Sequence, residues 1–158
     1  MSDLREYISQ VKKIKELKTI KTKVSTKYEI AGVTAKVDQS HAVLFENIKE
    51  SDFRLVSNLV GTRKRFALAV GGTESNIHQK VISAIKNAKT PKIIPTGKFM
   101  ENKSKNINSM PIVTHFEKES GPFITSSVAY AKNPETGKQN SSFHRMMPID
   151  KNHLSIRM

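Results

Sequence analysis

Leu4, Ile8, Val11 and Ile14 recur at intervals of three and four behind Ser2 and Asp3. That spacing predicts an amphipathic helix over residues 3–17 with Ser2 or Asp3 as its cap. A short extended piece, TIKTKV, follows, and Ser25 or Thr26 is placed to cap a second helix with Ile30, Val33 and Val37 on its apolar stripe. HAVLFENI (41–48) and FRLVSNLV (53–60) are β-rich runs separated by the polar KESD, the pattern of two strands joined by a short loop. Arg63 to Val70 reads as a helix that Gly71 and Gly72 stop. A longer helix is expected from about Glu74 to Ala88, with Ile77, Val81, Ile85 and Ala88 on one face and Thr73 as its N-cap. This alternation predicts a small α/β domain over residues 1–89.

From Thr90 the pattern changes. TPKIIPTGKFMENKSKNINSMP carries three prolines and no helical period, so residues 90–110 are expected to form an extended linker. Beyond it the chain reads as β alone: PFITSSVAYAK as a strand, NPETGKQ as a turn, NSSFHRMMPI as the returning strand, DKNH as a second turn and LSIRM as the start of a third strand. Three strands of a meander cannot close a barrel, so residues 111–158 are expected to be an incomplete second domain. The fold class is therefore α/β in its first part and β in its second, an α+β arrangement overall.

Composition narrows the function classes. No cysteine occurs, which excludes disulfides, thiolate metal sites and a cysteine nucleophile. The N-terminus MSDLREYISQ has no apolar core of a signal sequence, and no stretch approaches the apolar length of a membrane span; a cytoplasmic protein without membrane attachment is the expectation. Lys and Arg number 27 against 14 Asp and Glu, a formal charge of +13. Such a balance suggests a polyanion partner, but Lys12, Lys13, Lys15, Lys18, Lys21 and Lys23 are scattered, and no tryptophan or RNP-like aromatic motif offers a stacking platform. Nucleic acid is not the expected partner. Solvated lysine faces, or attraction of an anionic substrate, account for the charge.

Standard catalytic motifs are missing: no G-x-S-x-G elbow, no H-E-x-x-H, no Walker glycine loop and no dinucleotide fingerprint at Gly71-Gly72. His41, His78, His115 and His153 are dispersed and read as local hydrogen-bonding residues; the acidic stretch HFEKESGPF reads as a solvated loop. QNSSFHR differs, because Phe143 is its sole apolar residue before Met146. Two readings fit. One is an edge strand kept polar against aggregation. The other is a site with an amide oxygen for a hard cation, hydroxyl and backbone N–H groups for phosphate, and a guanidinium for a carboxylate. Strict alternation puts Asn140 and Arg145 on opposite faces, so one site uses both only if a bulge or the strand's end re-aims one of them.

PIVTHFEKESGPFITSSVAYAKNPETGKQNSSFHRMMPIDKNHL closely resembles the corresponding segment of UbiD-type decarboxylases, which use prenylated FMN. LREYI, YEIAGV, AVLFENIK and VSNLVGTRKRFALAVG resemble the N-terminal domain of the same proteins, in the same order. SFHRMM is further similar to the archaeal branch, the anhydromevalonate phosphate decarboxylases. The resemblance implies that residues 111–158 begin an FMN-binding split β-barrel. It implies that Asn140 ligates the divalent cation, Mn²⁺ or Mg²⁺ with K⁺ as a further ion, that bridges the cofactor phosphate. Ser141, Ser142, Phe143 and His144 would run along the prenylated flavin, and Arg145 would hold the substrate carboxylate as the catalytic arginine. Arg157 and Met158 lie where some members continue their cofactor contacts.

Implied partners are a small carboxylic acid, phosphorylated in the archaeal branch, a flavin prenyltransferase that supplies the cofactor, and further copies in a homo-oligomer. The implied reaction converts trans-anhydromevalonate 5-phosphate to isopentenyl phosphate and CO₂; an aromatic or acrylic acid of the 4-hydroxybenzoate type is the alternative. The family's remaining metal ligands and its two network glutamates have no counterpart before Met158. The expectation is thus the N-terminal part or subunit of such an enzyme, inactive alone and at most a weak binder of cofactor. A non-catalytic binding protein derived from the family is the competing class.

Overall fold

The computed structural model describes residues 3–90 and 92–156. Ser2, Arg157 and Met158, named above as a cap and as cofactor contacts, lie outside the described residues. Among the described residues, four α-helices and two three-stranded sheets make up a mixed α/β fold. The chain divides into two compact units between which it passes repeatedly. The first takes the chain through Lys21, Thr34–Glu46 and Leu55–Lys103; the second takes Thr22–Val33, Asn47–Arg54 and the chain from Ser104 on.

In the first unit, α1 (Leu4–Lys13) starts at Asp3, whose carboxylate accepts the Glu6 amide at 2.9 Å. It ends four residues before the expected Leu17. Lys15 turns left-handed at φ 61°, with its amide on the Lys12 carbonyl and the Glu16 amide on the Val11 carbonyl. This is a Schellman cap built on a lysine, where a glycine is usual. β1 (Leu17–Ile20) then pairs parallel with β2 (Ala42–Phe45), which pairs antiparallel with β3 (Leu55–Ser57). The central strand carries the core: Ala42, Val43 and Phe45 are fully buried, with Val11, Ala67 and Ile77 also buried.

Two helices follow β3. α3 (Arg63–Ala69) is capped by the Thr62 hydroxyl on the Arg65 amide and ends at Gly71, φ 67°, as the glycine pair predicts. α4 (Ile77–Lys86) starts three residues later than expected, at Asn76 and not at Thr73. The Asn76 side-chain oxygen reaches back to the Thr73 amide at 2.8 Å and closes a turn ahead of the helix. Of its apolar positions only Ile77 is buried, and Ile85 is 73% exposed.

α2 (Glu29–Lys36) also starts late, since neither Ser25 nor Thr26 is its immediate cap. Ser25 is held in the second unit by a network in which its amide donates to Glu29 at 2.6 Å and its hydroxyl donates to Glu50 at 2.5 Å, while Lys49 bridges to Glu29. The rest of this unit hangs on single bridges, Val24 with Ile48, Lys27 with Thr114, and Val113 with Phe123. Residues 92–110 hold two short 3-10 turns, Lys98–Met100 and Ile107–Ser109. The meander β4 (Ile124–Lys132), β5 (Gln139–Pro148) and β6 (Leu154–Ile156) follows in antiparallel order. Its first turn uses Gly137 at φ 67°, and the Asn133 carboxamide accepts the amides of Glu135 and Thr136. In the second turn Asp150 accepts the amides of Asn152 and His153.

Candidate cofactor-binding site

Every residue of the QNSSFHR segment falls on β5, and Gln139 to His144 pair with β4 in one register. Asn140 lies opposite Ala131, Ser141 opposite Tyr130, Ser142 opposite Ala129, Phe143 opposite Val128 and His144 opposite Ser127. Beyond this point the register shifts: Met146 faces Ile124, so Thr125 and Ser126 together oppose Arg145. The bulge that sequence reasoning required therefore exists, but on β4 and not on β5. Alternation along β5 is unbroken. Asn140, Ser142 and His144 belong to one face, and Ser141, Phe143 and Arg145 to the other.

The two faces differ in chemistry. On the first, the Ser142 hydroxyl and His144 Nε2 lie 2.8 Å apart. On the second, Phe143 is 84% exposed beside Tyr130 at 71% and Val128 at 43%, a row of apolar side chains facing solvent. Arg145 sits at the end of that row with its guanidinium carbon 4.8 Å from the centre of the Phe123 ring. The GPFIT block drew attention in the sequence, but nothing there assigned Phe123 a contact.

What joins the faces is the edge between them. Among the described residues β6 pairs only with Met146, Met147 and Pro148, and no described strand pairs with Asn140 to Arg145 on the side of β5 away from β4. A ligand lying along that edge spans about 17 Å at 3.4 Å per residue. It meets the main-chain groups of the strand, and side chains of either face can fold over it. Asn140 and Arg145 thus mark its two ends despite their opposite orientations.

Carboxylates of this unit serve as hydrogen-bond acceptors for nearby backbone and side-chain donors. A hydrogen bond from Lys49 holds the Glu29 carboxyl below its usual range, and the Asn152 amide does the same for Asp150, with His153 adding to it. Glu119 accepts the His115 amide at 2.8 Å, which closes the acidic loop on itself. Among the described residues no group of three His, Asp or Glu side chains could hold a metal ion.

A mixed α/β fold with two small sheets has counterparts among known proteins. Residues 8–85 match the N-terminal domain of the 3-octaprenyl-4-hydroxybenzoate carboxy-lyase family, UbiD, and residues 89–158 match its Rift-related domain. The chain belongs to the UbiD family. It is 31% identical over 157 residues to the anhydromevalonate phosphate decarboxylase of Methanothermobacter thermautotrophicus, covering 98% of this chain and 36% of that protein. The UbiD-class enzyme HmfF from Pelotomaculum thermopropionicum, solved in complex with FMN, superposes with a TM-score of 0.92 at 27% identity, covering 98% of this chain and 36% of HmfF. An evolved dimeric form of HmfF, solved in complex with prFMN, gives a TM-score of 0.90 at 27% identity over all of this chain and 38% of that one. The chain spans about a third of the length of these relatives. No helix among the described residues is long and apolar enough to cross a membrane.

Proposed function

We propose that this chain is the N-terminal part or a subunit of a prenylated-FMN-dependent decarboxylase that converts trans-anhydromevalonate 5-phosphate to isopentenyl phosphate and CO₂. The observation that carries the reading is the polar run Asn140 to Arg145 on β5, with the exposed Phe143, Tyr130 and Val128 beside it, in a chain of this family. The exposed row of Phe143, Tyr130 and Val128 fits a planar aromatic ring system, and the Ser141 and Ser142 hydroxyls fit a phosphorylated ligand. Bound there, the prenylated flavin supplies the sink for the electron pair that departing CO₂ leaves behind.

The chain's own residues divide the remaining work. The Asn140 amide oxygen is a hard ligand for Mn²⁺ or Mg²⁺ beside the cofactor phosphate, with K⁺ as an accessory ion. One oxygen is far short of the roughly six that such a cation takes. The described residues therefore fit the metal only in part, and its other ligands would have to come from outside them. Arg145 receives the acid's carboxylate through paired N–H donors and sets its orientation. A proton must then reach carbon from a carboxylic acid kept neutral in a dry pocket. Glu29 and Asp150 are shifted the opposite way and do not fit that role; the family resemblance, whose network glutamates have no counterpart among these residues, assigns the donor to another segment.

The archaeal relative's name favours the phosphorylated substrate. The family's own description, a 3-octaprenyl-4-hydroxybenzoate carboxy-lyase, favours the second reading, an aromatic acid. Flavin prenyltransferase is the supplier of cofactor, and assembly with further copies is expected once the enzyme is whole. The test is CO₂ release after the chain is combined with the remaining portion of a family member, prenylated FMN and Mn²⁺. Turnover of trans-anhydromevalonate 5-phosphate and not 4-hydroxybenzoate is expected, and the reverse preference selects the second reading. Turnover by the 158-residue chain alone would refute the assignment of the proton donor to another segment.

A further inference from the structure

We propose that Phe123 is a positioning residue for Arg145 and, through it, for the substrate carboxylate; this deepens the decarboxylase reading above and rests on it. Register explains the contact. Ile124 faces Met146, so Phe123 is diagonal to Arg145 on the same face of the β4–β5 pair, a separation that an aromatic ring and a long side chain can bridge. The Thr125–Ser126 bulge lies directly opposite Arg145 and places no single cross-strand side chain there. Phe123 is the group that the guanidinium meets, at 4.8 Å from the ring centre.

The backbone that carries the ring is held in place. The Phe123 amide donates to the Val113 carbonyl at 3.0 Å, Pro122 restricts the backbone before it, and Gly121 lets the segment approach Met147, where an added Cβ would come within 3.3 Å of the sulfur. Arg145 is exposed, and no carboxylate pairs with it among the described residues. Left to solvent, such a side chain samples many rotamers, and ordering it is part of the cost of binding. A ring against one face of the guanidinium removes much of that freedom and leaves the N–H donors at its rim available to a planar carboxylate.

Side-chain NMR of the 158-residue chain tests the positioning directly. The Arg145 Nε–H and Hδ resonances are expected upfield of their random-coil positions through the ring current, to return there in Phe123→Leu and to stay shifted in Phe123→Tyr. Random-coil Arg145 resonances in the wild type overturn the proposal whatever the variants do. Titration with crotonate, a simple unsaturated carboxylate, reads the consequence. Phe123→Leu is expected to weaken its effect on Arg145 about two- to five-fold, with Phe123→Tyr restoring it. Equal affinity in all three proteins overturns the proposal. Crotonate that leaves wild-type Arg145 unmoved, while the ring-current shift is present, instead sinks the carboxylate role on which it rests.

Discussion

Glu16 and Arg65 meet at 3.1 Å, Oε2 to Nη1, where the arginine side chain is wholly buried and the glutamate is 17% exposed. The same guanidinium nitrogen donates to the Ser40 carbonyl at 2.9 Å, and Lys64 reaches the other Glu16 oxygen at 2.6 Å. Nε and Nη2 of Arg65 have no hydrogen-bond partner among the described residues. Removing Glu16 would leave a buried charge with little to balance it. Glu16→Gln is expected to cost about 3–5 kcal/mol in urea unfolding at neutral pH. Replacing both residues, Glu16→Leu with Arg65→Met, is expected to recover most of that loss, because the unsatisfied guanidinium goes with the pair.

The same carboxyl sets an acid sensitivity. The hydrogen bond from Lys64, against the effect of burial and with Arg65 adding to it, holds Glu16 below its ordinary value of 4.5. A group depressed on folding stabilises the protein above its unfolded pKa and loses that contribution as pH falls through the folded one. The stability difference between wild type and Glu16→Gln should therefore be complete near neutrality and shrink below about pH 4.5. A gap of constant size from pH 7 to pH 3 would exclude this link.

Lys15 at φ 61° offers a stabilising change. Glycine tolerates this conformation, while a side chain there costs roughly 1–2 kcal/mol. After the greater freedom of an unfolded glycine is subtracted, Lys15→Gly should raise stability by about 0.5–1 kcal/mol. Gly71→Ala, at the matching position after α3 with φ 67°, should lower it by a similar amount. A lower melting temperature for Lys15→Gly would contradict the first assignment, and a higher one for Gly71→Ala the second.

In the assembled enzyme Asn140 and Arg145 should fail differently. Asn140→Ala is expected to raise the Mn²⁺ concentration needed for half-maximal activity, about 10–100-fold for the loss of a ligand's support. Arg145→Ala should leave that requirement unchanged and raise KM for the acid, with a loss of transition-state stabilisation of roughly 2–5 kcal/mol. Metal titration and steady-state kinetics on the two variants separate the roles.

Legibility in the sequence followed the local signals. Gly71-Gly72 marked the end of α3 because glycine accepts a left-handed turn freely, and NPETGKQ marked the hairpin for the same reason at Gly137. The end of α1 was hidden because a lysine holds the equivalent conformation, and the start of α4 because Asn76 turns its oxygen back to Thr73. The break in apolar alternation singled out the candidate site residues, which all fall on β5, and the opposite orientations of Asn140 and Arg145 followed from period two alone. The bulge at Thr125–Ser126 and the ring behind Arg145 were not readable. They depend on which residues face one another across two strands, which no local spacing encodes.

The repeated passage of the chain between its two units bears on how the protein is made. The first unit needs nothing beyond Lys103, whereas the second joins Lys27 to Thr114 and holds β4–β6. On the ribosome, residues 22–33 and 47–54 can meet one another early, but the Lys27–Thr114 bridge must wait until Thr114 has emerged, and it closes a long loop. The first unit is expected to acquire protection early in synthesis and the second late, so the strand that carries Asn140 and Arg145 is among the last to find its place.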